Sequence, residues 1–443
     1  MAFSVLLLVA AAVLVRAGTG LTFFFDEWEI LLGRDGSSVA SLLEPHNGQT
    51  FLVPVLVYKA LLSVFGMSSQ LPFRLTSVVV ASTCAVLLFV HARRSAGGWM
   101  ALVAVTPVLF LGAGWEALLL PLSLNFLVSL AAGLGMLILL DRDGLEGDVP
   151  AAILLALSLA SGGLGVAFLA GATVDVALRR NLRAPWIPAL PLLLFALWSI
   201  GYGGDATSSV TASNLIGLPE YLFEASRSVI TSVAGMFDAP LAVTTIITLL
   251  AGAALAARMS LAKTPVSRRA WVAGAVLLAF WVLAGLATSE GREAVASRYQ
   301  YPGAVLLVGF SLALLEGLSV PRLLPILCVP VVVFSVTTNL SKLDGGQQML
   351  LAQSEITRGA LGALEAEDAR DLPGLNLGAA AGGSRYLSLI TAGAYFRAVD
   401  RYGSPAGPGI RPASPEARLA AVRVSKTISD YRQAGDGDYW PLP

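Results

Sequence analysis

Apolar runs long enough to cross a lipid bilayer recur along this chain from Met1 to about residue 338, and no other feature constrains its fold so tightly. A bilayer core of about 30 Å takes a helix of about 20 residues. Runs near that length lie at residues 2 to 21, 51 to 66, 74 to 90, 98 to 113, 122 to 140, 151 to 178, 184 to 201, 240 to 257, 270 to 288, 301 to 315 and 321 to 338. Within lipid every backbone polar group must be satisfied inside its own segment, which favours helices. Only 13% of the residues are charged, against about 25% in soluble domains. The sequence therefore predicts an all-α polytopic membrane protein. Cys84 and Cys328 lie within apolar runs and read as small buried thiols, so no disulfide framework is available. The charges balance at zero, which gives no indication of a nucleic-acid partner.

The last 105 residues differ, holding 22 of the 58 charged side chains and no long apolar run. They predict two domains: a transmembrane domain at 1–338 and a water-facing domain at 339–443. The opening segment lacks the basic start and the cleavage site of a signal peptide and reads as the first span. The run from 151 to 178 is too long for one helix and breaks at Ser161-Gly162-Gly163 into a hairpin.

Basic clusters set the orientation, because short loops rich in Lys and Arg stay cytoplasmic. Those clusters are Arg93-Arg94, Arg179-Arg180 with Arg183, and Arg258, Lys263, Arg268 and Arg269. They fall on one side only if the run from 51 to 66 does not cross. That run carries Pro54 and Lys59, which suit a helix lying in the interface. The expectation is about eleven spans, with a long first outer loop at 22–73 and the carboxy-terminal domain outside. The inner loops then hold 11 Lys and Arg, and the outer loops hold five of these with 12 of the 18 acids before residue 339.

The outer loops hold the candidate chemistry. The first opens Phe23-Phe24-Phe25-Asp26-Glu27-Trp28-Glu29, and carboxylates this close to lipid are costly unless solvated, paired or used. Asp26 is a candidate general base, its pKa raised by a neighbouring acid; alternatively it caps a short helix running to Leu32. Trp28 reads as a sugar-stacking ring or as an aromatic-belt anchor. Further on, Glu44-Pro45-His46-Asn47-Gly48-Gln49 offers His46 for a substrate phosphate or a metal. A metal needs three or four ligands, and these residues supply two, so no cofactor is certain and a divalent metal is left without support. Glu116, after Trp115, is the only ionisable group between Arg94 and Asp141. Late in the chain, Ser297-Arg298-Tyr299-Gln300-Tyr301 presents a guanidinium flanked by tyrosines, suited to bidentate hydrogen bonds with a phosphate.

Taken in order, these features resemble the GT-C superfamily of membrane glycosyltransferases: an amino-terminal span, a long outer loop opening with an acidic pair, a proline-and-histidine segment before a juxtamembrane helix, Arg74 at the start of the next span, and a late Arg-Tyr motif. The resemblance is greatest to enzymes that use sugars on polyprenyl phosphates, such as protein O-mannosyltransferases and aminoarabinose transferases. It implies a GT-C-like helical bundle in the bacterial cell membrane with its active site outside. It also implies a polyprenyl-phosphate sugar donor and an inverting displacement onto an acceptor hydroxyl. Asp26 matches the first-loop catalytic acid, Glu27 its partner, Arg298 a donor-phosphate contact and Glu116 the acid of the second outer loop; Tyr299, Tyr301, His46, Trp28 and Arg74 complete the substrate-binding set. The chain departs from the mannosyltransferase pattern in reading Glu-Pro-His where a His-Pro-Pro-type segment stands. The rival reading is a transporter or lipid flippase, which places ionisable groups near the midplane and often carries repeats. Asp175 is the main acid within a span here, and it lies near Arg179.

Overall fold

The computed structural model describes residues 1–34, 38–142, 144–179, 184–203, 210–261, 264–318, 321, 323–407 and 414–434. Arg180, Arg183 and Lys263 of the basic clusters lie outside these. Among the described residues every regular element is a helix, and β pairing is confined to two isolated bridges.

Five described helices are long and apolar enough to cross a membrane: Leu71–Ala96, Pro121–Leu139, Leu241–Leu261, Arg268–Leu286 and Leu324–Ala366. A sixth arises if Gly98–Leu109 and Gly112–Leu119, bent by 46°, form one broken span. The other expected spans are helices of 16 to 18 residues: Ala2–Ala17, Leu145–Ser161, Leu164–Arg179, Trp186–Tyr202 and Ser297–Leu314. The expected hairpin break falls at Gly162 and Gly163. Leu52–Phe65 has 14 residues, about 21 Å at 1.5 Å per residue, which is short for a crossing. Large apolar side chains stand uncovered on several of these helices, among them Leu193, Leu194 and Ile200 on one and Ile246, Leu249 and Leu250 on another. Surfaces of this kind suit lipid as solvent, not water.

The chain divides into two compact units, and they do not follow a single cut near residue 338. The first comprises residues 1–17, 43–54 and 76–346; the second gathers 18–42 and 55–75 with 347–443. The helix Leu324–Ala366 runs unbroken through the expected domain boundary.

In the first unit the helices pack through small residues, as lipid-embedded helices do when no hydrophobic effect drives them together. A Cβ on Gly133 would stand 2.2 Å from the Phe168 ring. Ser129 and Ser158, both fully buried, donate to each other's backbone carbonyls at 3.0 and 2.8 Å.

One end of this unit is tied by ion pairs. Asp141 meets Arg94 at 3.3 Å and Arg269 at 2.9 Å, and Arg269 reaches Glu316 at 2.9 Å. Asp175 meets Arg179 at 2.6 Å and Arg268 at 3.5 Å, and Arg179 lies 3.7 Å from Asp148. Phe3 stacks on Phe89 at 4.1 Å, so the amino-terminal end of the first helix lies toward this same end.

The second unit is built on aromatic packing. Phe23, Trp28, Tyr58, Met67, Phe73 and Tyr395 are all fully buried. Phe23 meets Trp28 edge-on at 5.8 Å and Phe73 at 5.2 Å, distances favourable for ring pairs. The first-loop segment thus supplies part of the core on which the carboxy-terminal residues fold. Outside it, Arg370 pairs with Asp400 and Arg432 with Asp371, each through two hydrogen bonds of 2.8 to 2.9 Å.

Candidate functional site

Asp26 and Glu27 lie in the second unit on one tight turn. The Glu27 N–H donates to the Phe24 carbonyl at 3.0 Å, and the Phe24 N–H donates back to Glu27 Oε2 at 2.8 Å. This reciprocal pair is half of a capping box, the side chain of the third residue reaching back to close the turn. Phe25 within it has a φ of 40°, a costly conformation for a bulky residue. The helix that follows is a five-residue π-helical turn, Glu29–Gly33, capped by Trp28 without a side-chain bond. Glu27 and Trp28 are already helical ahead of this turn, so Asp26 stands directly before the first helical residue, where the capping reading places it. Short π segments occur often at functional sites. Lys59 donates to the Arg34 carbonyl at 2.5 Å, placing its charge at the negative end of this turn.

The two acids have different surroundings. Glu27 is 1% exposed. Its Oε1 accepts from the Tyr58 hydroxyl at 2.8 Å, and its Oε2 accepts from Gln70 at 2.9 Å as well as from the Phe24 amide. Burial pushes the Glu27 carboxyl up to about 7, against the lowering influence of these donors and of the Arg74 charge. Asp26 is half-exposed. Helical direction alone separates adjacent side chains by about 100°, and here it sends one acid into the core and the other outward.

Trp28 is fully buried, 5.8 Å from Phe23 and 6.4 Å from Tyr395. It neither anchors at an interface nor offers a face to a sugar, and this corrects both expectations for it. Arg74 packs against Gly18, where a Cβ would stand 2.1 Å from its Nη1, and it contributes its charge near Glu27.

In the first unit, Arg298 and Glu116 form a pair, with Arg298 Nε donating to Glu116 Oε2 at 3.1 Å. Ser297 fixes the elements that carry them: its hydroxyl accepts from the Glu116 N–H at 3.1 Å and donates to the Ala113 carbonyl at 2.8 Å. The Arg298 side chain is 39% exposed, and this contact engages only one of its three nitrogens. At the far end of Ser297–Leu314, Arg258 donates to the Leu314 carbonyl at 2.8 Å. The pair thus lies at the end of this helix opposite the ion-pair network.

Tyr299 is half-buried, its ring edge-on to Phe126 at 6.1 Å and to Phe280 at 6.2 Å. Tyr301 is 2% exposed and its hydroxyl donates to the Ala81 carbonyl at 3.3 Å. Its hydroxyl is thus engaged within the helix interface, whereas the Arg298 side chain one turn earlier is partly exposed. His46 is buried against Phe51 at 4.6 Å. Its backbone pairs with Gln49 in both directions at 3.0 Å around Asn47 and Gly48, with φ of 50° and 73°, the left-handed conformations of an Asn-Gly hairpin turn. Gln49 then accepts from the Gly163 N–H at 3.1 Å, so this segment docks on the broken hairpin. Among the described residues no three His, Cys, Asp or Glu side chains gather as a metal site.

Sequence reasoning missed Tyr58 and Gln70, which hold Glu27, and Asn339. Asn339 is fully buried, accepts from the Ala113 N–H at 3.1 Å and donates to the Ser232 carbonyl at 2.9 Å. A lone amide in an apolar run, Val336-Thr337-Thr338-Asn339-Leu340, was a signal for it.

No family model matches the chain, and no curated protein matches it significantly. Among solved structures it is similar to the crystal structure of ArnT from Cupriavidus metallidurans bound to undecaprenyl phosphate. The TM-score is 0.53 at 14% identity, over 84% of this chain and 81% of that one. The two chains share a fold.

Proposed function

We propose that this protein is a glycosyltransferase that moves a sugar from a polyprenyl-phosphate donor onto an extracytoplasmic acceptor hydroxyl. The reading rests on the shared GT-C fold, and on ArnT being bound to undecaprenyl phosphate. For the catalytic group, one observation carries the proposal. Of two adjacent first-loop acids, Glu27 has both oxygens occupied in the core and Asp26 is half-exposed. Asp26 is the general base and Glu27 its positioning residue. As the acceptor oxygen attacks the anomeric carbon, Asp26 takes its proton. The bond from that carbon to the phosphate oxygen breaks with inversion, and the polyprenyl phosphate leaves. Within the first unit, Arg298 is the candidate for holding a lipid phosphate, with Glu116 fixing the orientation of its guanidinium.

Asp26→Asn tests the base, because it keeps size and much of the hydrogen bonding but loses basicity. With radiolabelled polyprenyl-phosphate sugars and a cell-envelope fraction as acceptor, turnover should fall about 10²- to 10⁴-fold, with donor binding unchanged. Wild-type turnover in this variant removes Asp26 from the reaction. Transfer absent from the wild type with every donor offered would count against the enzyme itself.

A further inference from the structure

Beside the buried rings of the second unit, three stand together half-exposed: Phe24, Phe25 and Tyr386. Tyr386 lies 5.0 Å from Phe24 and 5.8 Å from Phe25, the second contact edge-on at 87°. It is carried on a short turn, Arg385–Leu387. Arg385 folds over its own neighbour, the guanidinium 5.0 Å from the Tyr386 ring centre and Nη2 donating to its hydroxyl at 3.2 Å. On the other side the rings continue directly into Asp26.

The arrangement is held at some cost. Phe25 keeps its φ of 40° where glycine or asparagine would relieve strain. The Glu27–Phe24 reciprocal bonds fix the turn that presents both phenylalanines. Exposed rings in the midst of a well-formed aromatic core need a partner of matching chemistry.

We infer that Phe24, Phe25 and Tyr386, rimmed by Asp26 and Arg385, form a saccharide-binding platform that receives the acceptor sugar. A sugar ring has apolar C–H faces that lie on aromatic rings, and hydroxyls at its edge that need donors and acceptors. Aromatic faces bordered by one carboxylate and one guanidinium meet both needs. An acyl chain would use the rings and leave the charged rim idle. The platform draws on both the first loop and the carboxy-terminal residues, which gives those residues a part in acceptor choice. That it receives the acceptor rests on the glycosyl-transfer reading; that it binds sugar does not.

Saturation-transfer NMR on the full chain in lipid nanodiscs tests this, with methyl glycopyranosides and methyl glycofuranosides as probes and no donor present. Saturation should pass from aromatic protons to the sugar ring in the wild type and in Tyr386→Phe. It should fall roughly three- to tenfold, the worth of one ring contact, in Tyr386→Leu and Phe25→Leu. Leucine keeps apolar bulk, so a packing role predicts no loss, and wild-type transfer in both leucine variants would overturn the proposal. So would saturation that reaches only the lipid headgroups, which would mark a membrane contact. Asp26→Asn should retain sugar binding while losing turnover. Full turnover in that variant, with sugar still bound, would sink the assigned base and leave the platform standing.

Discussion

Glu27 is the residue at which burial and charge compete most openly. Its carboxyl is raised to about 7, with burial as the largest cause, so folding favours its protonated form. The contribution to stability is then fully present below the unfolded value of about 4.3 and is lost as pH rises through about 7. Thermal unfolding of the wild type should show stability falling by a few kcal/mol between pH 4.5 and 7.5. Glu27→Gln, which cannot ionise, should flatten that slope; an unchanged slope would place the titration elsewhere. A second residue-scale prediction concerns Arg298. Lysine keeps the charge but not the planar fork, and with Nε held by Glu116 only a guanidinium has two nitrogens left for a phosphate. Arg298→Ala should weaken binding of a polyprenyl-phosphate sugar by about tenfold or more, and Arg298→Lys should recover part of it. Equal affinity in wild type and alanine variant would remove Arg298 from the donor site.

At the scale of elements, the same residue type has opposite meanings. Gly133 faces the Phe168 ring at a distance no Cβ can occupy, and Gly252 in Leu241–Leu261 has nothing within 4 Å. Gly133→Val should destabilise the protein by about 1–3 kcal/mol or more, read by unfolding in mild detergent, and Gly252→Val should be nearly neutral. Similar losses in both would mean that backbone flexibility, not packing, decides. Much of this level was legible in the sequence. Apolar length located the helices, and Ser161-Gly162-Gly163 marked the hairpin break because small and flexible residues cannot sustain a helix there. The run carrying Pro54 and Lys59 forms a helix of only 14 residues, Leu52–Phe65. The site was legible only as residue types. That Glu27 turns inward depends on Tyr58 and Gln70, 31 and 43 residues away, and no local pattern encodes such a meeting. Tyr301 misled for the same reason: its position beside Arg298 in sequence says nothing of Ala81, which takes its hydroxyl. Nor did charge density along the chain show that residues 18–42 and 347–443 share one unit.

For the whole molecule, the ion-pair network constrains topology independently of any rule about charge. Arg94, Asp141, Asp148, Arg179, Arg268, Arg269 and Glu316 come from loops and helix ends spread over the first unit, yet they meet at one end of it. All these positions must share a side of the membrane. The stack of Phe3 on Phe89 brings the amino-terminal end to that side too, so an even number of crossings separates residues 3 and 89. The helices Ala2–Ala17 and Leu71–Ala96 supply two, and a crossing by Leu52–Phe65 would make the number odd, so the expectation is that it lies along the membrane. The arginines of the network predict that this side is the cytoplasm, since loops rich in Lys and Arg stay there. Single cysteines at Ser95 and Ser260 should be shielded from an impermeant maleimide in intact cells, and cysteines at Ser213 and Ser388 should be labelled. The native thiols need little correction: Cys84 is buried and donates to the Leu127 carbonyl at 3.2 Å, and Cys328→Ser removes the half-exposed one. Labelling of Ser95 and Ser260 together, with Ser213 and Ser388 shielded, would invert the orientation and put Asp26 on the side away from any extracytoplasmic acceptor. Labelling of only one of Ser95 and Ser260 would contradict the network itself, because Arg94 and Arg269 cannot share Asp141 across a bilayer.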